Sequence, residues 1–418
     1  MSERGWAALA LAALVVSALV VVTVRWPRGL PPAPRVAQLA ALGSLPAAQV
    51  ARCRAYRRAV RRPGYAAMLL SLLVVLLLGL SPAGAALVDL LARPFDGHWL
   101  AAAILGGLAV LAAGQLAVLP LSAWRHRIAV RYGLSRQSWG AWLRDVLKAY
   151  LVTAVVAAAA VAGLFALTRW LPHWWWLAAA AGAGGVVILF SFVFPLLVEP
   201  MFARFTPMPP GLLRTALTGL AERAGVPVRE VLVADASRRT TAANAYVSGL
   251  GPTRRVVVFD TLLDRAPPAE VVGVVAHELA HARHRDVAGA TAVAALGAAA
   301  LATGLYLVGQ WQAVPRLAGV DSITDPRAVA LMVAVLALAG TLLGPAQAML
   351  SRRVEARADA QAVRLTGDPD TFSAMHARLA MTNLADPDPP RWEHVLTSSH
   401  PSTVERIAAV RVAARERR

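Results

Sequence analysis

The stretch that decides the fold and the chemistry is Val271 to Asp286, which reads VVGVVAHELAHARHRD. Within it, His277, Glu278 and His281 form the pattern H-E-x-x-H. Residues four apart lie on the same face of an α-helix, so two imidazoles in this arrangement can hold one metal ion. A carboxylate beside the first histidine can then take a proton from water that the metal acidifies. The pattern predicts zinc ligands at His277 and His281 and a general base at Glu278.

The interpretation requires a third ligand, because H-E-x-x-H is short and also occurs in helices whose histidines are merely packed. Glu355 and Asp359 lie four apart within SRRVEARADAQA, residues 351–362. Alone, such a pair would indicate a solvated acidic face. Together with H-E-x-x-H, it supplies the glutamate of a two-histidine, one-glutamate catalytic zinc site. We therefore predict that Glu355 completes a site for one Zn²⁺ per chain and that Asp359 orients a ligand histidine.

The composition is that of a membrane protein. Of the 418 residues, 57% are hydrophobic, and the net charge is +18 at pH 7. Arginine carries nearly all of the positive charge, since Lys148 is the one lysine. No nucleic-acid motif accompanies it, so the charge indicates membrane topology and anionic lipid headgroups, not nucleic acid. Cys53 is the one cysteine, which excludes an internal disulfide and a cysteine-based metal site.

Seven apolar stretches are long enough to cross a bilayer, which requires about 20 helical residues. The first could be a signal peptide, but its long apolar run and the lack of a small-residue cleavage site favour an uncleaved span. The predicted spans are residues 6–24, 66–83, 99–120, 150–168, 174–196, 288–309 and 328–349.

These spans predict an α-helical polytopic membrane protein with seven transmembrane helices. Residues 1–196 form a membrane region with five spans, and residues 197–418 form a mostly helical, zincin-type peptidase domain that the last two spans interrupt. Two β-like runs, 230–234 and 255–260, precede the H-E-x-x-H helix and predict a small sheet beside the metal. An exposed edge of that sheet could bind a substrate peptide as an added strand.

Arginine density predicts the orientation. Segments 25–65 and 121–149 are strongly basic, whereas 84–98, 169–173 and 310–327 are not. The positive-inside rule therefore predicts a multi-pass protein of the inner, cytoplasmic membrane. Its N-terminus lies outside, and the active site and the C-terminus lie on the cytoplasmic side.

Two local patterns indicate contact with the lipid bilayer. Trp170, Trp174, Trp175 and Trp176 cluster between the fourth and fifth spans and predict an aromatic belt at the headgroups. The arginine-rich run from Arg52 to Arg62 predicts a helix along the anionic inner surface. A specific partner for this run is the alternative.

Taken with these motifs, the sequence resembles the type I CAAX prenyl endopeptidases, membrane zinc proteases of the forty-eighth metallopeptidase family. The resemblance covers most of the chain, and seven spans also match. The matching motifs are Tyr132–Gln137, Phe202–Pro207, Asn244–Tyr246, Val258–Leu263, His277–His281, Ser351–Asp359 and His400–Arg406.

The resemblance implies roles for residues beyond the zinc site. Asn244 would hold the substrate backbone, His400 would stabilise the tetrahedral oxyanion, and Arg406 would support it beside the substrate. The resemblance also implies a water-filled chamber enclosed by the spans. It assigns one zinc ion to His277, His281 and Glu355, with Glu278 as the base.

The chain departs from the prenyl proteases at two positions. Ala280 stands where they usually have glycine, and Asp286 stands where they tend to have histidine, which is more like the HtpX-type membrane proteases. Five spans before the catalytic domain fit the prenyl-protease architecture instead. We expect a membrane-embedded zinc metalloendopeptidase whose substrates are CAAX-type C-terminal peptides or membrane and misfolded proteins.

A membrane sensor and a metal transporter are the two alternative classes of protein. A membrane sensor built on an H-E-x-x-H domain would need an extracytoplasmic sensor domain, and the short tail after Glu355 offers none. A metal transporter would carry ionisable residues inside its spans, and these spans are almost free of them. The peptidase interpretation is favoured over both.

Overall fold

Seven helices, within the part of the chain that the structure describes, are long and apolar enough to cross a membrane. The structure is a computed structural model that describes residues 2–26, 29–249 and 251–416. Its helices are α1 (Glu3–Arg25), α2 (Arg35–Gly43), α3 (Ala47–Gly79), α4 (Pro82–Ala92), α5 (Trp99–Arg131), α6 (Trp139–Trp170), α7 (Trp175–Val193), α8 (Glu199–Phe202), α9 (Leu212–Arg223), α10 (Asp260–Leu263), α11 (Pro268–Arg283), α12 (Asp286–Gly309), α13 (Ala313–Leu317), α14 (Val329–Thr366), α15 (Pro369–Thr382), α16 (Arg391–Thr397) and α17 (Thr403–Arg415).

The seven predicted spans and the mostly helical fold are confirmed. The spans fall on α1, α3, α5, α6, α7, α12 and α14. The second predicted span ran too far, to residue 83, because α3 ends at Gly79 and the next helix begins at Pro82. Ser81 caps that next helix by accepting a hydrogen bond from the Ala83 amide. Proline has no amide hydrogen with which to continue the preceding helix.

Small residues allow the spans to pack closely. α12 packs between α1 and α7, while α14 packs along α3. A Cβ atom added at Gly79 would stand 2.3 Å from the Ala334 Cβ atom, so only glycine permits this crossing of α3 and α14. Close approach of small residues is a usual basis of helix association within membranes.

The arginine-rich run does not form a separate surface helix. Residues 52–62 are the first half of α3, continuous with the second span. Arg57 and Arg61 pair with Glu393, and the Arg54 Nε atom lies 3.6 Å from an Asp386 oxygen. Three of the six arginines in the run therefore bind the C-terminal part of the chain instead of lipid, which corrects the sequence prediction for those three. Arg58 and Arg62 remain exposed.

The tryptophan cluster divides into two pairs. Trp170 and Trp174 are exposed, as an interfacial belt requires. Trp175 and Trp176 are each 2% exposed, and their rings pack 5.6 Å from the Tyr306 ring. The belt prediction was wrong for this second pair, because the rings join α7 to α12 in the interior of the span bundle.

The small sheet has four strands in the order β1-β2-β4-β3. The predicted runs form β2 (Glu230–Ala234) and β4 (Arg255–Phe259), which pair in parallel. Two further strands add antiparallel edges, β1 (Phe205–Pro207) on β2 and β3 (Ala245–Ser248) on β4. One face packs with α9, α11 and α15 around a buried core that includes Leu217, Leu279 and Phe372. The sheet thus lies beside the H-E-x-x-H helix, as predicted.

Candidate metal centre and active site

The first two candidate ligands lie on α11, the H-E-x-x-H helix. Pro268 occupies its first turn, where the missing amide hydrogen costs nothing, and the valines before His277 are largely buried in the core. This packing fixes the face that carries both histidines. The Nε2 atoms of His277 and His281 lie 3.1 Å apart.

Glu355 reaches the same point from α14. Its two carboxylate oxygens lie 3.2 Å from His277 Nε2 and 3.4 Å from His281 Nε2. Ligand atoms held at about 2.0–2.1 Å by a tetrahedral zinc ion stand about 3.3 Å from one another. The three side chains therefore meet at separations that fit one such ion, and they form the one group of metal-binding type found among the described residues.

The other nitrogen of each histidine binds a carboxylate. His277 Nδ1 lies 2.9 Å from Asp359, and His281 Nδ1 lies 2.9 Å from Asp286. Carboxylates of this kind orient the rings of metal-binding histidines and make them more basic. Both Nε2 atoms are thereby directed at the shared point. Asp359 occupies the place predicted for it.

Electrostatics at this point favour a cation. Burial lowers the pKa of His277, but its hydrogen bonds to the carboxylates of Asp359 and Glu355 outweigh burial and raise the pKa overall. Burial also lowers the pKa of His281, but its hydrogen bonds to Asp286 and Glu355 outweigh burial and raise the pKa to about 10. Surrounding carboxylates thus stabilise positive charge at both imidazoles. A divalent cation supplies that charge in a metalloenzyme.

Sequence reasoning missed the partners of Asp286, which was noted only as a departure from the family pattern. One of its oxygens accepts a hydrogen bond from Trp26 Nε1 at 3.0 Å and also binds Arg357. Arg357 in turn donates to the backbone oxygen of Arg25 at 2.6 Å. His281 is thereby connected to the end of the first span. The only local signal was an acidic residue five positions after a histidine.

Glu278 lies beside the ligands but outside their hydrogen-bond network. Among the described residues, none donates a hydrogen bond to its carboxylate. Burial is the main cause that raises its pKa, and the nearby imidazoles oppose the shift. A partly buried carboxylate with a raised pKa and a free oxygen is suited to accept a proton.

His400 lies at the edge of the same centre. Its Nε2 atom is 3.5 Å from a Glu355 oxygen, while its Nδ1 atom contacts the Ser399 hydroxyl at 2.8 Å. The side chain is 60% exposed, so one side faces solvent. This placement next to the metal ligands, with an open side, suits a group that contacts substrate.

Arg406 lies deeper than its predicted substrate-binding role requires. Its guanidinium binds both oxygens of Asp359 and lies 3.5 Å from Glu355. Only 10% of the side chain is exposed. The geometry therefore differs from the prediction, because Arg406 holds the carboxylates behind His277 instead of facing the cleft.

Asn244 directly precedes the edge strand β3, which begins at Ala245, and its side chain is exposed. The residues before it are held from several directions. The Thr241 amide and hydroxyl bind the carbonyls of Leu134 and Gly133, and the Ala243 amide donates to the Asn383 side chain at 2.8 Å. The loop between α5 and α6 thus braces the segment that carries Asn244.

His376 on α15 is a buried neighbour that the sequence did not reveal. Its ring lies 6.4 Å from that of His277 and 4.4 Å from that of Phe372. Burial lowers its pKa well below the usual value, so it stays neutral. Its contribution is to pack behind His277. Nothing in the local sequence distinguishes it from an ordinary core residue.

Two family models match successive parts of the chain. The model of peptidase family M48 matches residues 209–414, and the model of the CAAX prenyl protease N-terminal region, with five membrane helices, matches residues 34–204. A CAAX prenyl protease 1 homolog of Oryza sativa subsp. japonica is 27% identical over 300 residues, which are 71% of this chain and 70% of that protein.

A protease HtpX homolog and a solved structure are also similar to this chain. A protease HtpX homolog of Acaryochloris marina is 34% identical over 205 residues, which are 45% of this chain and 67% of that protein. The crystal structure of S. mikatae Ste24p superposes with a TM-score of 0.76 over 97% of this chain and 98% of that one, at 21% identity. The fold is therefore that of Ste24p. The chain belongs to peptidase family M48 and is a membrane metalloendopeptidase of the CAAX prenyl protease-like type.

Proposed function

We propose that the protein is a zinc endopeptidase in which His277, His281 and Glu355 hold one zinc ion. The observation that carries the proposal is the close approach of the donor atoms. The two Nε2 atoms lie 3.1 Å apart, one Glu355 oxygen lies 3.2 Å from His277 Nε2, and the other lies 3.4 Å from His281 Nε2. When bound, a zinc ion acts as a Lewis acid that acidifies water and polarises a peptide carbonyl. Asp359 and Asp286 keep both histidine rings turned toward the ion.

Glu278 is the general base of this proposal. Its carboxylate adjoins the ligands, is partly buried and accepts no hydrogen bond from the described side chains. It takes a proton from the attacking water and delivers that proton to the leaving amine. His400, at the open edge, donates a hydrogen bond to the oxyanion that develops on the scissile carbonyl.

The substrate binds as an extended strand along β3. This strand is at the edge of the sheet, and α11 packs against it. An added strand pairs through main-chain hydrogen bonds, so it is recognised largely without regard to side chains. The exposed Asn244 side chain, directly before β3, holds the substrate backbone in register with the metal.

The position of the centre and the relatives support the proposed substrate class. α11 ends at Arg283, and span α12 begins at Asp286, while Glu355 continues from the apolar part of α14. The centre therefore lies at one face of the membrane. Peptides attached to or emerging from the bilayer reach it there, which fits CAAX-type C-terminal peptides or membrane and misfolded proteins.

Metal analysis combined with peptidase assays tests the zinc mechanism. Purified protein is expected to hold about one zinc ion per chain, and His277→Ala should lose it. His284→Ala, three residues from a ligand on the same segment, is the matched control and should keep its zinc. Glu278→Gln should also keep zinc while activity falls about 10²–10⁴-fold.

Two results would contradict this mechanism. One is zinc retained by His277→Ala, and the other is near-native activity in zinc-replete Glu278→Gln protein. If the mechanism holds, the inactive Glu278→Gln protein can be used as a trap, and the proteins that copurify with it from the membrane identify the substrate.

Sidedness is a separate proposal. Arginine density in alternate segments supports a cytoplasmic active site and an external N-terminus. Single cysteines introduced at exposed positions, in a Cys53→Ser background, can be labelled with an impermeant thiol reagent. A cysteine replacing Trp311 should react from outside, and one replacing Ser399 only from the cytoplasm. The reverse pattern would invert the topology.

A further inference from the structure

A basic cavity lies away from the metal centre, where α6 meets the beginning of the catalytic domain. Its volume is about 510 Å³, within the range of sites for small ligands. We call it the basic cavity and define it by its lining residues, which are Gln137, Ala141, Arg144, Asp145, Lys148, Arg204, Arg238 and Arg239.

The lining has more positive charge than its own acids neutralise. Arg238 pairs with Asp235 at 3.0 Å, and Arg239 pairs with Asp145 at 3.4 Å. Arg144, Lys148 and Arg204 form no ion pair with any described residue, and Lys148 donates only to the Met201 backbone oxygen. Three cations therefore converge on one space without a protein counter-charge. An anion is the complementary ligand.

The cavity lies at the N-terminal end of a helix long and apolar enough to cross a membrane. Ala141, Arg144, Asp145 and Lys148 follow helical spacing on one face of α6, which is a membrane span. Lys148 lies two residues before the apolar stretch predicted at 150–168. On the same turns of α6, Leu147 and Leu151 are exposed, as lipid-facing residues are. Trp139, at the start of the helix, is also exposed, which is usual at the headgroup level.

We propose that the basic cavity binds the phosphate of an anionic phospholipid headgroup from the leaflet on the catalytic side. A lipid lying against Leu147 and Leu151 places its headgroup beside Arg144 and Lys148 without leaving the bilayer. Basic pockets at the ends of membrane helices bind anionic headgroups in this way. The volume also exceeds what a lone phosphate ion would fill.

The cations of the basic cavity that form no ion pair with a described residue are the residues to replace. Arg144 and Lys148 line the cavity from α6, and Arg204 lines it from the segment before β1. Arg127 and Arg131, near the end of neighbouring α5, are exposed at the same face of the membrane but do not line the cavity. Replacing Arg127 and Arg131 removes equal charge from the same surface and gives a matched control.

Lipid binding to the full-length protein tests the proposal. Detergent-solubilised protein is titrated with phosphatidylglycerol, or with phosphatidylcholine of the same acyl chains, and bound lipid is counted by native mass spectrometry. One phosphatidylglycerol should bind in preference to phosphatidylcholine. Arg144→Gln/Lys148→Gln should weaken that binding about 10- to 30-fold, at roughly fivefold per charge. Arg127→Gln/Arg131→Gln should leave it unchanged, and Arg204→Gln should reproduce part of the loss from the opposite wall.

Several outcomes would overturn the proposal. Equal losses in the cavity and control variants would mean diffuse surface attraction, and equal binding of phosphatidylcholine would mean that charge is not recognised. Inorganic phosphate that displaces the lipid at equal concentration would identify a site for free anions. Displacement by a short peptide only when its C-terminal carboxylate is free would identify a substrate terminus as the occupant.

Discussion

The two histidines of H-E-x-x-H are equivalent in sequence, but their surroundings are built from different parts of the chain. On the His277 side, Asp359 binds the ring and Arg406 binds Asp359, so the support comes from α17 and from the part of α14 that follows its apolar stretch. On the His281 side, Asp286 binds the ring, and Trp26 binds Asp286. Those two residues stand at the ends of the membrane spans α12 and α1.

The difference shows that the catalytic domain does not orient its metal centre alone. The His277 side also places Arg406 within 3.5 Å of the ligand Glu355, so any disturbance there acts on a ligand directly. The His281 side places Arg357 toward the backbone of Arg25, away from the ligands. We therefore expect a loss on the His277 side to have the larger effect on metal affinity.

The largest expected effect concerns His400, which belongs to neither side. His400→Ala should lower kcat about 10²–10³-fold, because it removes a donor to the developing oxyanion. Zinc content and Tm should not change, since the side chain is 60% exposed and supports no ligand ring. Ser399→Ala, which removes the hydroxyl that contacts the His400 ring, is the control and should cost much less. If kcat is unchanged in His400→Ala, His400 has no catalytic role and is an ordinary surface residue.

Asp359→Asn tests the His277 side. Zinc affinity should fall by close to 100-fold, the upper end for partners of ligand histidines, because uncompensated Arg406 then attracts Glu355 away from the metal. Competition with a chelator measures the loss. The double variant Asp359→Asn/Arg406→Gln should recover part of the affinity, since the competing cation is gone. A double variant weaker than Asp359→Asn would show that Arg406 does not compete for Glu355.

Asp286→Asn tests the His281 side. The expected loss in zinc affinity is smaller, about 10-fold, because Arg357 remains turned toward the Arg25 carbonyl and does not approach a ligand. The same chelator competition measures it. A loss equal to that of Asp359→Asn would mean that the two sides contribute alike, and the comparison would fail.

Trp26→Phe should produce the smallest effect. It removes the indole hydrogen bond to Asp286 and leaves a shorter aromatic ring beside Gly289, so zinc affinity should fall about threefold, as for a weak net hydrogen bond. Trp6→Phe, at an exposed position of the same span, is the control and should have no effect on zinc. If zinc affinity is unchanged in Trp26→Phe, the first span does not support the metal centre.

The predictable parts of the molecule are those in which a short local pattern has one physical solution. Apolar runs of about 20 residues in a membrane protein form spanning helices. The four-residue spacing of His277 and His281 places both rings on one helix face, where they can bind the same metal ion. Ser402 and Glu405 form the reciprocal hydrogen bonds of a capping box, a motif that is complete within four residues.

Contacts between residues distant in sequence could not be predicted. Trp26 and Asp286 are 260 residues apart, and neither is unusual in its own segment. The arginines of α3 were expected at the lipid surface because Glu393, which lies far along the chain, gave no local sign of pairing with them. The edge strands β1 and β3 were missed because three or four residues carry too little periodicity to be recognised. The division of the chain near residues 196 and 197 stays a prediction.

The continuity of α14 fixes how far Glu355 stands from the predicted apolar span. Glu355 is the sixth residue after the predicted end of that span at 349, on one unbroken helix, which is about 9 Å of helix. His281 is similarly close to the start of α12. For the membrane-anchored substrates that we propose, the cutting point would stand at a set height above the hydrocarbon edge. The length of the tether between the anchor and the cutting point would then select the bond that is cut, as a molecular ruler does.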